Sequence, residues 1–464
     1  MKELKAYIRK FSGDTETPIT LFYKYVGKER GFLLESRGEG KTNFSIMGKN
    51  AKAILKGTDK LTIEEDGVVR VVEGKLLDGV RDYIQSFKIE CDLDIAFQGG
   101  AVGVVGYDVI KQYEKIPDNN PDPIKTPTVH LMVFTEFIVY DHLHDLINLV
   151  VLDEKSSSGE KRANEILDRM EEEVKSKIPS ERYDIPETKK VSFTSNMSKE
   201  KYMDIVEKAK KYIYDGDIFQ VVLSQRLTAE TDQEPLNLYR KLRAINPSPY
   251  LYYFNFGDYQ VAGSSPEMLV EVNKDKVFTC PIAGTRKRGK DLEDDLRLAN
   301  EMKNDPKEKA EHVMLVDLAR NDMGRIAKIG SVKVDKFMKV QYYSHVMHMV
   351  SLVEGIKRDD QDAFSILSSF LPAGTLSGAP KIRAMEIIEE LEEERRGIYG
   401  GAAGYFSFNG NMDMCIAIRT MVIKDNKVYM QAGAGIVADS KPEMEFEESH
   451  NKVRALVKTI GGEV

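Results

Sequence analysis

The chain has 464 residues, which is too long for one average domain, and its hydrophobic and charged fractions, 42% and 31%, are typical of soluble globular proteins. Its net charge of −8 and isoelectric point of about 5.6 argue against a nucleic-acid-binding protein. An anionic ligand must therefore be bound by a local basic site, because the overall charge of the protein repels it.

Cysteine usage and the distribution of apolar segments indicate the compartment. Cys91, Cys280 and Cys415 lie far apart and show no CxxC spacing, which predicts reduced thiols and neither a disulfide framework nor a zinc site. The first residues lack the apolar run of a signal peptide, and no segment reaches the length of a membrane span. We therefore expect a cytoplasmic protein.

Residues 1–188 are predicted to form an N-terminal lobe of strands and a few helices. A glycine-punctuated apolar run at 99–107 predicts a buried strand, because glycine lets another backbone approach closely. From about Asp153 charged residues dominate, and Pro179 and Pro186 follow. This pattern predicts a solvated helix and then a charged linker, with the domain boundary at 188/189.

Residues 189–464 are predicted to form a second, denser domain. Ser198 precedes an apolar pattern of helical period and is the expected N-cap of that helix. A later helix is predicted to begin after Asp305, which is followed by proline. The last helix is predicted to carry a capping box made by Ser440 and Glu443.

Two pairs of glutamates with i, i+3 spacing lie on these predicted helices: Glu308 with Glu311, and Glu445 with Glu448. This spacing places both carboxylates of a pair on one helical face. Two such helices facing each other would offer the all-oxygen ligands that Mg²⁺ prefers. Glutamate-rich first turns are also a common solvated feature that stabilises the helix dipole, and the spacing by itself favours that plainer interpretation.

Glycine-rich runs and one arginine are compatible with an anion site. The runs at 400–401 and 433–435 can present backbone N–H groups to a carboxylate, or can be ordinary glycine-rich strands and turns. Arg419 lies in an apolar segment, where a guanidinium needs an anionic partner. A carboxylate of a ligand and a carboxylate of the protein are equally good partners.

Glu267 and His348 are candidates for proton transfer. His348 lies in an apolar segment, and the usual pKa of histidine suits a proton shuttle. Glu267 follows a Ser-Ser-Pro turn and can act as a general acid if burial keeps it protonated. The alternatives are a core histidine and a turn carboxylate that caps a backbone amide. The motifs GxxxxGK[ST], HExxH and GxSxG are absent.

Long motifs over most of residues 200–460 resemble those of the chorismate-utilising enzymes. They are GDIFQVVLSQR at 216–226, PIAGT at 281–285, EHVMLVDLARND at 311–322, PAGTLSGAPK at 372–381, and the stretch 399–448. Within that family the chain is similar to the aminase subunits of anthranilate synthase, because Ala283 and Gln225 stand where related enzymes have lysines. The lysine at the first position is typical of aminodeoxychorismate synthases, and that at the second of isochorismate and salicylate synthases. Without either amine, ammonia is left as the nucleophile.

The resemblance implies an α+β fold: an antiparallel β-sandwich flanked by helices, with the active site in a cleft between the sheets. It implies a Mg²⁺ cofactor, held by Glu311 and Glu448 with support from Glu308 and Glu445, that would hold the ring carboxylate of chorismate. Glu267 would protonate the leaving C4 hydroxyl, and His348 and Thr285 would assist at the ring. The implied substrate-binding residues are Gly284, Thr285, Tyr399, Arg419, Gly433, Ala434 and Gly435.

The N-terminal lobe resembles the family's feedback site for L-tryptophan. The motif LLES at 33–36, together with 246–251, implies inhibitor contacts from Ser36, Pro249, Tyr250 and Leu251. The stretch 39–48 departs from the usual family pattern, which leaves the strength of inhibition open.

The resemblance also implies partners. Nothing after Glu448 resembles a glutamine amidotransferase, so a separate glutaminase subunit would supply ammonia within a hetero-oligomer, and the chain alone would use free ammonia. The expected activity is conversion of chorismate and ammonia to anthranilate and pyruvate in L-tryptophan biosynthesis, with feedback inhibition by L-tryptophan. The alternatives are aminodeoxychorismate synthase component I of the folate pathway and a non-catalytic tryptophan-binding subunit.

Overall fold

The structure is a computed structural model that describes residues 2–36, 43–178, 190–342 and 346–462. In these ranges the chain forms two large sheets with helices packed against them. The strands of the first sheet are β1 (Lys2–Ser12), β2 (Gly31–Ser36), β3 (Phe44–Lys49), β7 (Phe87–Glu90), β10 (Glu136–Asp141), β11 (Leu146–Glu154), β12 (Phe193–Ser195), β13 (Gln220–Glu230), β14 (Tyr250–Asn255), β15 (Tyr259–Ser265), β21 (Gly378–Ala379), β24 (Thr420–Lys424) and β25 (Lys427–Ile436).

The second sheet has twelve strands among the described residues, and the helices are numbered along the chain. Its strands are β4 (Ala53–Gly57), β5 (Leu61–Glu65), β6 (Val68–Val72), β8 (Gly100–Val105), β9 (Val129–Phe134), β16 (Met268–Asn273), β17 (Lys276–Thr279), β18 (Ile282–Lys287), β19 (Lys333–Tyr342), β20 (Val346–Ile356), β22 (Ala402–Ser407) and β23 (Met412–Ile416). The α-helices are α1 (Pro18–Tyr25), α2 (Leu76–Ile84), α3 (Ser157–Val174), α4 (Lys199–Tyr214), α5 (Pro235–Ile245), α6 (Leu292–Asn304), α7 (Pro306–Ile326), α8 (Ala363–Phe370), α9 (Lys381–Leu391) and α10 (Pro442–Ile460).

Strand pairing is antiparallel throughout the described sheets except between β1 and β7, which are parallel. The largest apolar core lies between the sheets, where Phe254 and Val261 of the first sheet pack in one cluster with Val104 and Leu131 of the second. A separate core covers the other face of the first sheet with α1, α3, α5 and α10. The predicted antiparallel sandwich flanked by helices is therefore confirmed.

The sequence predicted the N-cap residues of two helices correctly and that of a third helix wrongly. The Ser198 side chain caps α4, and the Asp305 side chain accepts hydrogen bonds from two backbone N–H groups of α7. The predicted capping box of the last helix is wrong, because α10 begins at Pro442 and Lys441 is its N-cap. Ser440 instead accepts a hydrogen bond from the Val437 N–H at 3.0 Å.

Both sheets contain strands from before and after the predicted domain boundary. In the first sheet β2 pairs with β14, and in the second β8 pairs with β22. The boundary at 188/189 adjoins residues outside the described ranges, so the division into two domains stays a prediction. None of the described helices is long and apolar enough to cross a membrane, and all three cysteines are free thiols.

Candidate active site

Glu267 and Arg419 lie on two neighbouring crossings between the sheets. Glu267 connects β15 of the first sheet to β16 of the second, and Arg419 connects β23 of the second sheet to β24 of the first. These strands pair with one another, so the crossings run side by side. The Ser264 N–H donates to the Arg419 carbonyl at 3.1 Å, and the Ile416 N–H donates to the Glu267 carbonyl at 3.0 Å. The sandwich thus brings together an acid and a cation that are distant in sequence.

The Glu267 carboxyl is buried and only 8% exposed. Its Oε1 accepts a hydrogen bond from the Thr375 hydroxyl at 3.1 Å. Burial raises the pKa of Glu267 to about 7, although the Thr375 hydrogen bond and the positive charges of Lys452 and Arg419 lower it. Near neutral pH this carboxyl is therefore partly protonated, as a general acid must be.

Arg419 adopts a left-handed backbone conformation with φ of 51°. Residues other than glycine enter this region at a cost of about 1–3 kcal/mol, and such strain is concentrated at functional sites. Its Nη1 donates to the backbone carbonyl of Lys452 in α10. Burial lowers the pKa of Arg419, whereas the charges of Tyr399, Glu267 and Glu448 raise it. The guanidinium thus lies close enough to interact electrostatically with Glu267, between β15 and β16, and with Glu448 of α10.

Tyr399 is held close to Arg419 by the turn that precedes β22. The Gly400 N–H donates to the Ala417 carbonyl at 3.0 Å, and the Ala417 N–H donates to the Gly401 carbonyl at 2.8 Å. Burial and the charge of Glu392 raise the pKa of Tyr399, and the charges of Arg396 and, less strongly, Arg419 lower it. The tyrosine therefore remains a neutral hydrogen-bond donor beside the arginine.

The glycine-rich run 433–435 lies in the middle of β25. A side chain at Gly433 would meet the Leu223 carbonyl oxygen at 2.3 Å, so glycine is required there by the close approach of β13. Gly433 and Gly435 pair with Ser224 and Val222, respectively. Strand packing therefore accounts for Gly433, and anion binding by this backbone stays a prediction.

Thr285 and His348 face each other across β18 and β20. The Thr285 hydroxyl lies 3.0 Å from His348 Nδ1, which is also 3.1 Å from the Gly284 carbonyl. Burial lowers the pKa of His348, the hydrogen bond to the Gly284 carbonyl raises it in part, and the charge of Arg419 lowers it further. Gly284 forms a β-bulge between Ala283 and Thr285 and has a positive φ of 65°. A Cβ atom added at Gly284 would lie 3.1 Å from Glu308 Oε2. The predicted ring-pocket residues thus adjoin the first glutamate pair.

The four glutamates of the two predicted pairs converge from α7 and α10. The pKa of Glu311 is raised first by burial and then by the negative charges of Glu308 and Glu448. The pKa of Glu445 is raised by burial and by the charge of Glu448. Mutual repulsion of this kind indicates that the carboxylates lie close enough together to interact.

Two cations of the chain partly neutralise this cluster. Lys452 Nζ lies 2.7 Å from Glu448 Oε1, and Arg286 Nη1 lies 2.8 Å from Glu308 Oε1. Within the described ranges, no three histidine, cysteine, aspartate or glutamate side chains are close enough together to hold a metal ion as they stand. The donor set is all-oxygen and anionic, as a hard divalent cation requires, so its chemistry fits Mg²⁺ once these ion pairs open.

Comparisons with known proteins identify the family of the chain. The sequence profile of the chorismate binding enzymes matches residues 29–458. The chain belongs to this family. Anthranilate synthase component 1 of Acetivibrio thermocellus is 50% identical over 461 residues, which cover 96% of this chain and 93% of the relative.

Solved structures of the family share the fold. Anthranilate synthase component I from Streptococcus pneumoniae superposes with a TM-score of 0.81 at 41% identity, over 90% of this chain and 95% of that one. The menaquinone-specific isochorismate synthase of Escherichia coli superposes with a TM-score of 0.75 over 98% of this chain and 94% of that one, at only 19% identity. The second likeness concerns the fold alone.

The two positions where the resemblance predicts that an amine is missing, Gln225 and Ala283, are both buried. Gln225 is 3% exposed, and its amide nitrogen donates to the Ser449 hydroxyl at 2.5 Å, immediately after Glu448. Ala283 is 7% exposed and lies beside Gly284 in β18. Neither position carries an amine, as the sequence indicates.

The residues predicted to bind the family's inhibitor meet at one end of β2 and β14. Ser36 is the direct cross-strand partner of Tyr250, whose hydroxyl donates to Asp413 Oδ1 of the second sheet at 3.1 Å. The Leu251 side chain belongs to the core on the opposite face, so it does not share the surface of Tyr250. Pro249 immediately precedes these residues. Positions 39–42 of the departing stretch lie outside the described residues.

Several residues of the site were missed by sequence reasoning. Thr375 lies within the motif at 372–381, but nothing in that motif indicates that its hydroxyl reaches Glu267. Lys452 follows Glu448 by four residues, so helical spacing could have predicted their ion pair. A small cavity of about 40 Å³ also borders Glu267 and Thr375, with walls that include Leu315 and Leu318.

Proposed function

We propose that the chain is the aminase subunit of anthranilate synthase, a lyase that converts chorismate and ammonia to anthranilate and pyruvate. The observation that carries this proposal is the 50% identity to an anthranilate synthase component 1 over 96% of the chain. The amine-free positions Gln225 and Ala283 support it, because no lysine competes with ammonia as nucleophile. The convergence of Glu267, Arg419 and Glu448 fits a substrate with two carboxylates.

The residues assigned to binding hold chorismate by its two carboxylates, one at each end of the molecule. Arg419 and Tyr399 bind the enolpyruvyl carboxylate, helped by backbone N–H groups of 433–435. A planar guanidinium suits this task because it can donate two parallel hydrogen bonds to one carboxylate. Orientation by two clamped carboxylates then lowers the entropic cost of reaction.

Glu311 and Glu448 would hold Mg²⁺, with Glu308 and Glu445 in support. When bound, the metal supplies positive charge that neutralises the ring carboxylate. Glu267 donates its proton to the leaving C4 hydroxyl, which its raised pKa allows. His348 is kept neutral by burial and by Arg419, and it accepts or relays a proton near the ring together with Thr285.

Ammonia is supplied by a separate glutaminase subunit that forms a hetero-oligomer with this chain in the cytoplasm. L-Tryptophan binds at Ser36, Pro249 and Tyr250, and at the backbone of Leu251, and inhibits the enzyme. This assignment makes the N-terminal segment 1–188 regulatory and 189–464 catalytic, with both parts contributing strands to each sheet.

Turnover of the purified chain with chorismate, Mg²⁺ and ammonium tests the proposal. We expect fluorescent anthranilate to appear together with an equal amount of pyruvate, and addition of L-tryptophan to suppress both. A non-aromatic product that retains its enolpyruvyl group would indicate an aminodeoxychorismate synthase instead. Binding of L-tryptophan without turnover would indicate a non-catalytic subunit.

A further inference from the structure

Glu392 and Arg396 form a buried ion pair behind the candidate carboxylate site. They are 4% and 3% exposed. The guanidinium donates twice to the carboxylate, from Nε to Oε2 at 2.9 Å and from Nη2 to Oε1 at 2.5 Å. Removing one partner of such a pair leaves an uncompensated buried charge, which is strongly destabilising.

The same two side chains bind backbone groups of two other segments. Arg396 Nη1 donates to the Leu376 carbonyl at 2.6 Å, and Nη2 donates to the Val222 carbonyl at 2.8 Å. Glu392 Oε1 accepts hydrogen bonds from the Ser224 N–H at 2.8 Å and from its hydroxyl at 2.9 Å. The pair therefore links the turn that contains Arg396, the loop 373–377 and strand β13.

Each linked segment carries a part of the candidate site. Leu376 follows Thr375, which donates the hydrogen bond to Glu267. In β13, residues 222 and 224 pair with Gly435 and Gly433. The guanidinium carbon of Arg396 lies 5.7 Å from the centre of the Tyr399 ring.

We propose that the Glu392–Arg396 pair positions the carboxylate-binding half of the site. It sets the spacing between Tyr399, the glycine strand 433–435 and the acid Glu267, and it acts through these residues without touching the substrate. Directional hydrogen bonds suit this role, since an apolar filling of the same space holds no backbone carbonyl at a set distance. The inference rests on the proposed function for the identity of the substrate.

Arg396→Lys tests the proposal. Lysine retains the positive charge but not the planar fork, so it cannot bind Glu392, Leu376 and Val222 together in the present geometry. We expect the KM and the directly measured Kd for chorismate to rise between about tenfold and hundredfold, because a displaced Tyr399 or glycine strand loses a hydrogen bond to a charged carboxylate, and such a loss has an effect of about that size. The KM for ammonium should change little. A purely structural role would reduce only the fraction of active protein, measured by titration of chorismate-binding sites, and would leave Kd, KM and the rate per active site unchanged; that result would overturn the proposal.

Arg169→Lys is the matched control. Arg169 Nη2 contacts both carboxylate oxygens of Glu136, at 2.9 and 3.2 Å, in a part of the first sheet that carries no assigned site residue. The Arg169 side chain is 48% exposed, so we expect this variant to lose little stability and to bind chorismate like the wild type. If Arg396→Lys does not fold, Ser224→Ala removes one hydrogen bond to Glu392 and should raise the Kd severalfold, whereas an unchanged Kd would contradict the proposal.

A double-mutant cycle tests whether the pair acts through Tyr399. If it does, Arg396→Lys should weaken chorismate binding less in a Tyr399→Phe background than in the wild type, since coupled residues give non-additive effects. Fully additive changes would contradict this route. Because binding is measured separately from turnover, a chain that binds chorismate but releases no anthranilate refutes the proposed function and leaves this comparison intact.

Discussion

The carboxylate of Glu448 lies 2.7 Å from the ammonium group of Lys452, one turn further along α10. Lys452 also donates to the Gly433 carbonyl at 3.1 Å. Its positive charge lowers the pKa values of Glu267, Glu311 and Glu445 against the opposing effect of burial. One lysine thus connects the glutamate cluster with the strand assigned to carboxylate binding.

Removal of this lysine should strengthen binding of a divalent cation. Lys452→Met eliminates a cation that pairs with Glu448, so we expect the Kd for Mg²⁺ or Mn²⁺, measured by calorimetry without substrate, to fall about tenfold, or 1.4 kcal/mol. Lys307→Met is the control, because Lys307 acts on Glu311 and Glu445 only through its charge. Equal effects of the two variants would show that the ion pair itself has no special role.

Loss of a carboxylate from the cluster should have the opposite effect. Glu311→Gln and Glu448→Gln each remove a negative charge and an oxygen ligand, so metal binding and Mg²⁺-dependent turnover should fall by at least about 100-fold. Asp317→Asn, at an exposed position of α7, is the control and should behave as wild type. Full activity of Glu448→Gln would remove the metal assignment.

The acidity of Glu267 predicts a pH limit on activity. Its pKa is raised to about 7, and the general acid must be protonated. We therefore expect kcat/KM for chorismate, at a constant saturating concentration of free ammonia, to decline as pH rises above about 7. Glu267→Gln cannot donate a proton and should be nearly inactive at every pH. A wild-type profile that is flat between pH 6 and 9 would assign the proton to another group.

Stability should depend on the same carboxyl. In the unfolded chain the pKa of Glu267 is near its usual value of about 4.3, so ionisation between pH 4 and 7 favours unfolding over folding. Relative to Glu267→Gln, the wild type should lose about 4 kcal/mol of unfolding free energy as the pH rises from about 4 through the folded pKa. Urea unfolding of both proteins at several pH values measures this difference. Parallel pH profiles would indicate that the carboxyl titrates normally.

Inhibition by L-tryptophan should depend on Ser36. A phenylalanine there would occupy space beside Tyr250, its cross-strand partner. We expect Ser36→Phe to retain the wild-type KM for chorismate while the inhibitory concentration of L-tryptophan rises at least about tenfold. Ser158→Phe, at an exposed position of α3, should be inhibited like wild type. Unchanged inhibition in Ser36→Phe would place the inhibitor elsewhere.

Local signals in the sequence predicted several elements well. Ser198 and Asp305 cap their helices as expected, because capping depends on a few neighbouring residues. The predicted capping role of Ser440 is wrong, because the helix begins later, at Pro442. The Ser440 hydroxyl instead accepts a hydrogen bond from the Val437 N–H. The spacing of Glu308 and Glu311 correctly placed both on one helix, but spacing alone did not distinguish a shared site from a solvated face.

By itself the sequence determined the family, through long motifs that resemble those of known members, and that resemblance implied the sandwich. It also named the candidate acids, the arginine and the amine-free positions, because these depend on residue type and local order. The tertiary structure alone decided that Glu267 and Arg419 lie on adjacent sheet crossings, that Thr375 reaches Glu267, and that Lys452 and Arg286 pair with the glutamates. The physical reason is that pKa values and ion pairs depend on burial and on charges from distant segments, which only long-range packing brings together.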